Sequence, residues 1–170
     1  MKTIFSIFVK MNIAYLILGG NKGDKLQNIR QALFLLENNI GAITKKSDVF
    51  VTAAWGNTEQ PDFFNQAIRL ETSLSASDLL KKIISIEETL GRIRTDKKWM
   101  ERTMDIDILF YNDEIISIPD LKIPHPFIQE RKFVLIPMEQ LAPMFVHPQI
   151  KKNIRTLLSE CSDELEVRCL

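Results

Sequence analysis

Asp105 and Asp107 stand one residue apart in the run Thr103-Met104-Asp105-Ile106-Asp107-Ile108-Leu109-Phe110. In an extended strand, residues two apart share a face. The two carboxylates therefore project together, and Ile106, Ile108 and Phe110 are expected to point the other way. Unpaired carboxylates with Cα atoms about 7 Å apart repel each other. Hard cations offset that repulsion: Mg²⁺ prefers carboxylate oxygen, keeps several waters and takes its other ligands from substrate phosphates. Two such ions about 3.5–4 Å apart suit a pair of this kind. A solvated strand face with ion pairs to nearby arginines fits the same spacing, and D-x-D alone favours it.

The preceding loop shifts that balance. Arg92, Arg94, Lys97, Lys98 and Arg102 stand there against Asp96 and Glu101. Cations beside two aspartates make a site for a polyanion bridged by metal, because arginine forks match phosphate oxygens and stabilise charge that grows in phosphoryl transfer. Trp99 within the loop suits packing on an adenine or anchoring the loop, and the lysines also fit a solvated charge run. Downstream, Pro124-His125-Pro126 and Glu130-Arg131-Lys132-Phe133 add a histidine and an arginine. A histidine between prolines more often caps a turn than catalyses, so His125 receives no general-base role. Gly19-Gly20-Asn21-Lys22-Gly23 matches neither G-x-x-x-x-G-K-[ST] nor G-x-G-x-x-G, which leaves the turn a mainly structural part.

Positioning these residues requires a scaffold, and hydrophobic periodicity supplies one. Ile13–Leu18 reads as a buried strand, and Asp24 then caps a helical stripe at Leu26, Ile29, Leu33 and Leu36. Alternation at Val49–Thr52 and around Ile68–Leu70 gives two further strands. Ser75 opens a second helix with the stripe Leu79, Ile83, Ile86 and Leu90, ended by Gly91. Met104–Tyr111 is the fourth strand. Strand, helix, strand, strand, helix, strand is the order of an α+β, ferredoxin-like βαββαβ core with a mainly antiparallel sheet. Glu114–Ile118, His125–Leu141 and a helix from about Asn153 are expected as extra cover on the second face.

Composition bounds the function. The chain has 170 residues, with 22 Lys+Arg balanced by 22 Asp+Glu. Zero formal charge argues against coating nucleic acid or membrane, so electrostatic work must be local. The length suits one catalytic domain, residues 11–170, preceded by a loose extension at 1–10 that has no signal-peptide pattern. Cys161 and Cys169 lack partners at metal spacing, which fits a reducing cytoplasm. No fused second enzyme is expected, and the protein is expected to be a monomer.

In order, these pieces resemble the 6-hydroxymethyl-7,8-dihydropterin pyrophosphokinase (HPPK) family. The resemblance rests on Leu18–Asp24, Gln60-Pro61-Asp62-Phe63-Phe64-Asn65, Gly91-Arg92 with Trp99, Glu101–Asp107, Pro124-His125-Pro126 and Glu130–Leu135. It implies transfer of the β,γ-diphosphate of ATP to the hydroxymethyl group of the pterin, with release of AMP, in folate biosynthesis. It implies two Mg²⁺ ions on Asp105 and Asp107, with Arg92 and Arg102 as catalytic arginines. ATP contacts would come from Glu87, Arg94, Lys98, Trp99, Arg102, His125 and Arg131. Pterin contacts would come from Thr52, Trp55, Phe63, Asn65 and Phe133, the two phenylalanines as a sandwich and Asn65 as the amide that reads the ring edge. The chain departs from the family pattern at Thr52–Gly56, where many relatives carry Pro-Leu, and at Ile84, which replaces a polar residue. Two rivals remain open: a ferredoxin-like RNA-binding module using the basic loop, and a two-metal phosphohydrolase.

Overall fold

Strand β1 (Asn12–Gly20) is apolar on both sides, which suits a strand covered on both faces. It lies inside the sheet, with β5 (Asp105–Tyr111) on one side and β4 (Phe63–Thr72) on the other. β4 in turn pairs with β2 (Ala42–Lys46) and β3 (Phe50–Thr52), and β8 (Val167–Cys169) closes the edge beside β3. Every pairing is antiparallel. The computed structural model describes residues 10–53, 60–92 and 101–170.

Helix α1 (Lys25–Asn39) starts at Asp24, whose carboxylate accepts the Gln27 N–H at 3.0 Å. Helix α2 (Ala76–Thr89) starts at Ser75, which accepts from Asp78 N and donates back to its carboxylate. The two helices bury Ile29, Leu36, Leu79 and Ile83 against Leu16, Leu18, Ile68 and Leu70 of the sheet. Helices α3 (Lys132–Leu141) and α4 (Ile154–Glu160) cover the opposite face, where Leu135, Met138 and Leu157 meet Tyr15, Ile17 and Ala67. Asn153 caps α4 by accepting from Thr156 N. The ferredoxin-like α+β core with helices over the second face is therefore present.

Three local expectations need correction. The strand read at Val49–Thr52 is present as β3, but it is preceded by a further strand, β2, that was not expected. Three of the five β2 side chains are polar and most are exposed, so the strand carries little apolar alternation to announce it. The hairpin of β6 (Ile116–Ile118) and β7 (Leu121–Ile123) sends Leu121 and Ile123 into the α1/α2 side of the core, not the second face. Finally, Phe110 does not follow Ile106 and Ile108. Tyr15 opposes Phe110 while Leu16 opposes Ile108, so Leu109 is an extra residue in β5. Such a bulge resets the alternation, and both Leu109 and Phe110 turn toward α3 and α4.

Candidate active site

The register across the sheet builds the floor of a cavity. Gly19 of β1 opposes Asp105 of β5 on one side and Asn65 of β4 on the other, and Asn65 opposes Phe50. Residues directly opposite in a ladder share a face. Asp105, Gly19 and Asn65 therefore line up on the α3/α4 side, in a row about 10 Å long at the usual strand spacing. Asp107 stands in the next row, beside Ile17. Gly19 matters here for its missing side chain: a Cβ would come within 2.8 Å of Asn65 Oδ1 and would fill the gap between the acid and the amide.

Around that floor is a cavity of about 210 Å³, lined among others by Thr52, Phe63, Asn65, Arg102, Asp105, Asp107, Arg131 and Phe133. Eight of the residues named from sequence thus come together. Phe63 and Asn65 share a face as the first and third residues of β4, and Asn65 Nδ2 donates to Thr52 Oγ1 at 3.0 Å. Phe133 belongs to the first turn of α3, and Arg131 immediately before it lies 5.1 Å from the Phe127 ring centroid and 5.9 Å from that of Phe133. One end of the cavity is aromatic and amide-bearing; the other is charged.

At the charged end the two aspartates differ sharply. Asp105 is engaged by both Arg92 and Arg102. Arg92 also holds Glu87, which is buried on the inner side of α2 and accepts the Ile106 N–H at 2.8 Å. β5 is an edge strand, so Glu87 satisfies a backbone donor that no neighbouring strand can reach. Flanking anions raise Arg92 further above its ordinary pKa, more than burial lowers it. No described residue donates a hydrogen bond to the Asp107 carboxylate. Burial, then the charges of Asp105 and Glu87, push its carboxyl up to about 7, against the pull of Arg131 and Arg92. A carboxylate so short of positive charge, beside a second carboxylate, suits a divalent cation.

No group of three or more His, Cys, Asp or Glu among the described residues is arranged to hold a metal. Two protein carboxylates with the remaining ligands from phosphate and water is the donor set that Mg²⁺ accepts. The residues present therefore fit the ion, provided that a phosphate-bearing substrate completes the shell.

His125 is half-buried and is not among the residues that line the cavity. Its Nδ1 accepts the Phe127 N–H at 3.3 Å, the turn-capping role its sequence context suggested. Its backbone N–H donates to Leu109 O at 3.0 Å. Burial, with a smaller contribution from Arg131, drops its pKa to about 4, so near neutral pH it is uncharged. The turn that follows β1 is tied to the approach to β5: Asn21 N and Lys22 N both donate to Arg102 O. Arg94, Lys97, Lys98, Trp99 and Trp55, and the extension at 1–9, lie outside the described residues.

Sequence reasoning missed three contributors. Buried Asn21 accepts from Arg102 N at 2.9 Å and donates to Gln60 Oε1 at 3.2 Å, joining the approaches to β5 and β4. Gln60 lines the cavity as well. So does Leu165, from the C-terminal segment. Its signal was present, because Leu165, Val167 and Cys169 alternate with Glu164, Glu166 and Arg168 at the strand period.

Comparison with known proteins gives consistent results. Residues 15–143 match the family described as 7,8-dihydro-6-hydroxymethylpterin-pyrophosphokinase. Leu165 lies past the end of that span. The chain is 39% identical over 150 residues to the 2-amino-4-hydroxy-6-hydroxymethyldihydropteridine pyrophosphokinase of Aquifex aeolicus, covering 88% of this chain and 92% of that one. It is 42% identical over 139 residues to the folic acid synthesis protein FOL1 of Dictyostelium discoideum, covering 82% of this chain but only 21% of that longer protein. A crystal structure of Plasmodium falciparum HPPK-DHPS superposes with a TM-score of 0.73 at 19% identity, over 94% of this chain and 47% of that one. At that identity the superposition speaks for the fold alone.

Proposed function

The chain belongs to the 7,8-dihydro-6-hydroxymethylpterin-pyrophosphokinase family, and on that premise we propose that its cavity holds the pterin at the aromatic end and the ATP phosphates at the charged end. The reaction is diphosphoryl transfer to 6-hydroxymethyl-7,8-dihydropterin in folate synthesis, with ATP as co-substrate. The observation that carries this reading is the two-ended cavity, in which Gly19 alone separates the Asp105 position from the Asn65 position.

At the aromatic end, Phe63 and Phe133 offer ring faces and Asn65 with Thr52 offers amide and hydroxyl groups. A flat heterocycle with donors and acceptors along one edge suits that set, and stacking contributes roughly 1 kcal/mol per face beyond burial. At the charged end, Arg92 and Arg102 neutralise phosphate oxygens, and Arg131 and neutral His125 serve as nucleotide contacts. Glu87 acts there through Arg92, which it holds. Asp105 and Asp107 would hold Mg²⁺, which supplies charge neutralisation on the phosphate oxygens when bound.

The pterin hydroxyl oxygen forms a bond to the β-phosphorus, the bond from that phosphorus to the α,β-bridging oxygen breaks, and AMP leaves. The hydroxyl proton passes to solvent, and no side chain is assigned as a dedicated base. Catalysis is then mostly alignment and electrostatic stabilisation. The two free cysteines are compatible with a cytoplasmic enzyme, and we extend the reading to one catalytic domain acting as a monomer.

The deciding assay incubates protein, ATP and Mg²⁺ with and without the hydroxymethyl pterin. AMP that forms only when the pterin is present is the expected result. Phosphate release without pterin would replace this reading with a phosphohydrolase. No turnover, together with salt-dependent RNA binding, would replace it with an RNA-binding module.

A further inference from the structure

Between α4 and the chain end, residues 161–170 run from the foot of α3 to the far edge of the sheet. Within this stretch Cys161, Asp163, Leu165 and Val167 are partly buried and alternate with the exposed Ser162, Glu164, Glu166 and Arg168. The stretch makes three separate connections, one through an inward side chain, one through its backbone and one through an exposed side chain. Asp163 Oδ2 accepts the Lys132 N–H at 2.9 Å, at the first turn of α3, and its Oδ1 accepts the Leu165 N–H at 3.0 Å. No side chain of α3's own N-cap residue, Arg131, serves that end of the helix. β8 then pairs with β3, placing Val167 opposite Thr52. Arg168 finally reaches Asp62, the residue before Phe63, at 3.7 Å. The elements touched are the three that carry Phe133, Thr52 and Phe63, and Leu165 itself enters the cavity lining.

We propose that this C-terminal strap is the outer wall of the pterin subsite, with Leu165 as a residue that sets pterin affinity and Asp163 as a positioning residue that fixes Leu165 relative to Phe133. This inference rests on the assignment of the aromatic end to the pterin. Asp163 suits the part because one carboxylate fastens two backbones at once. The α3 turn bearing Phe133 and the strand segment bearing Leu165 thereby keep a set separation. A planar ligand between aromatic faces is sensitive to that separation, since dispersion contacts weaken steeply when a gap opens. The charged end contains no residue of the strap, so its effects should fall on one substrate and leave the other alone.

The test measures steady-state kinetics and melting temperature for Leu165→Ala and Asp163→Ala, with equilibrium pterin binding followed by pterin fluorescence beside a nonhydrolysable ATP analogue. Loss of an apolar contact of this size raises the pterin KM and Kd roughly tenfold. The ATP KM should stay within about twofold, and Leu165→Ala should melt with the parent. Should Asp163→Ala fail to fold, Leu165→Ala decides alone. Unchanged pterin KM in Leu165→Ala, or an ATP KM that rises as much as the pterin KM, overturns the proposal. Wild-type protein that neither binds pterin nor forms AMP sinks the functional reading itself. Active wild type with indifferent variants sinks only the strap.

Discussion

On the face packed by α1 and α2, Leu16, Leu18, Ile68, Leu70, Ile106 and Ile108 form one apolar surface met by Leu36, Leu79 and Ile83. On the other face Tyr15, Ile17 and Ala67 are covered in the same manner by α3 and α4. One row further along, the residues are Gly19, Asn65 and Asp105, and the cover gives way to a cavity. The same strands therefore end in a packed core on one side and a polar recess on the other. The lesson is where the free energy is placed. The packed rows of both faces carry stability, whereas the last row of the second face opens into a recess that a ligand can fill.

Swapping one residue from each face separates the two roles. Asp107→Asn should lose at least about 3 kcal/mol of transition-state stabilisation, over a hundredfold in turnover. Its melting temperature should hold or rise near pH 8, because a half-buried carboxylate whose pKa is pushed up to about 7 costs stability when ionised. Leu79→Ala, at 0% exposure on the packed face, should cost about 2–3 kcal/mol in denaturant unfolding. Its turnover at temperatures where it remains folded should stay near that of the parent. An Asp107→Asn protein that melts early, or a Leu79→Ala protein that is folded but inactive, would break the distinction.

Within the recess, the aromatic and charged ends can be parted in the same way. Phe133→Ala removes one ring face and should raise the pterin KM by about tenfold, or roughly 1.4 kcal/mol, with little change in the ATP KM. Equal effects on the two constants would mean that the ends do not act separately.

Much of this arrangement was legible in the sequence because its signals are local. Asp24, Ser75 and Asn153 each announced a helix start through a bond reaching only three residues on. The period-two spacing of Asp105 with Asp107 put the pair on one face without knowledge of the partner strand, whereas Phe63 and Asn65 were named through the family resemblance. What escaped depends on registration between distant segments. The Leu109 bulge exists only relative to β1, and nothing in Ile108-Leu109-Phe110 marks it. Asn21 acquires its purpose from Arg102 and Gln60, 81 and 39 residues away. Glu87 was named only through the family resemblance, since by itself it reads as an ordinary acidic residue of a helix; its burial follows from β5 being an edge strand with a backbone donor to satisfy.

A separate effect, on stability and not on turnover, concerns the half-buried His125. Its pKa is about 4 in the folded protein, below the ordinary 6.5, chiefly because burial disfavours the imidazolium and Arg131 repels it. The unfolded chain therefore binds the proton first as pH falls. This histidine's stabilising share is fully present above about pH 6.5 and is lost progressively toward pH 4. Asp107 acts in the opposite sense over much of that window, because its carboxyl is protonated more readily in the folded state. The wild-type melting curve alone would mix the two. Comparing His125→Gln with wild type cancels the Asp107 contribution. Replacing the imidazole should shift the stability difference in favour of the variant by about 1–3 kcal/mol between pH 7 and pH 4. A pH-independent difference would show that His125 is protonated in the folded protein as easily as in water and is therefore not desolvated.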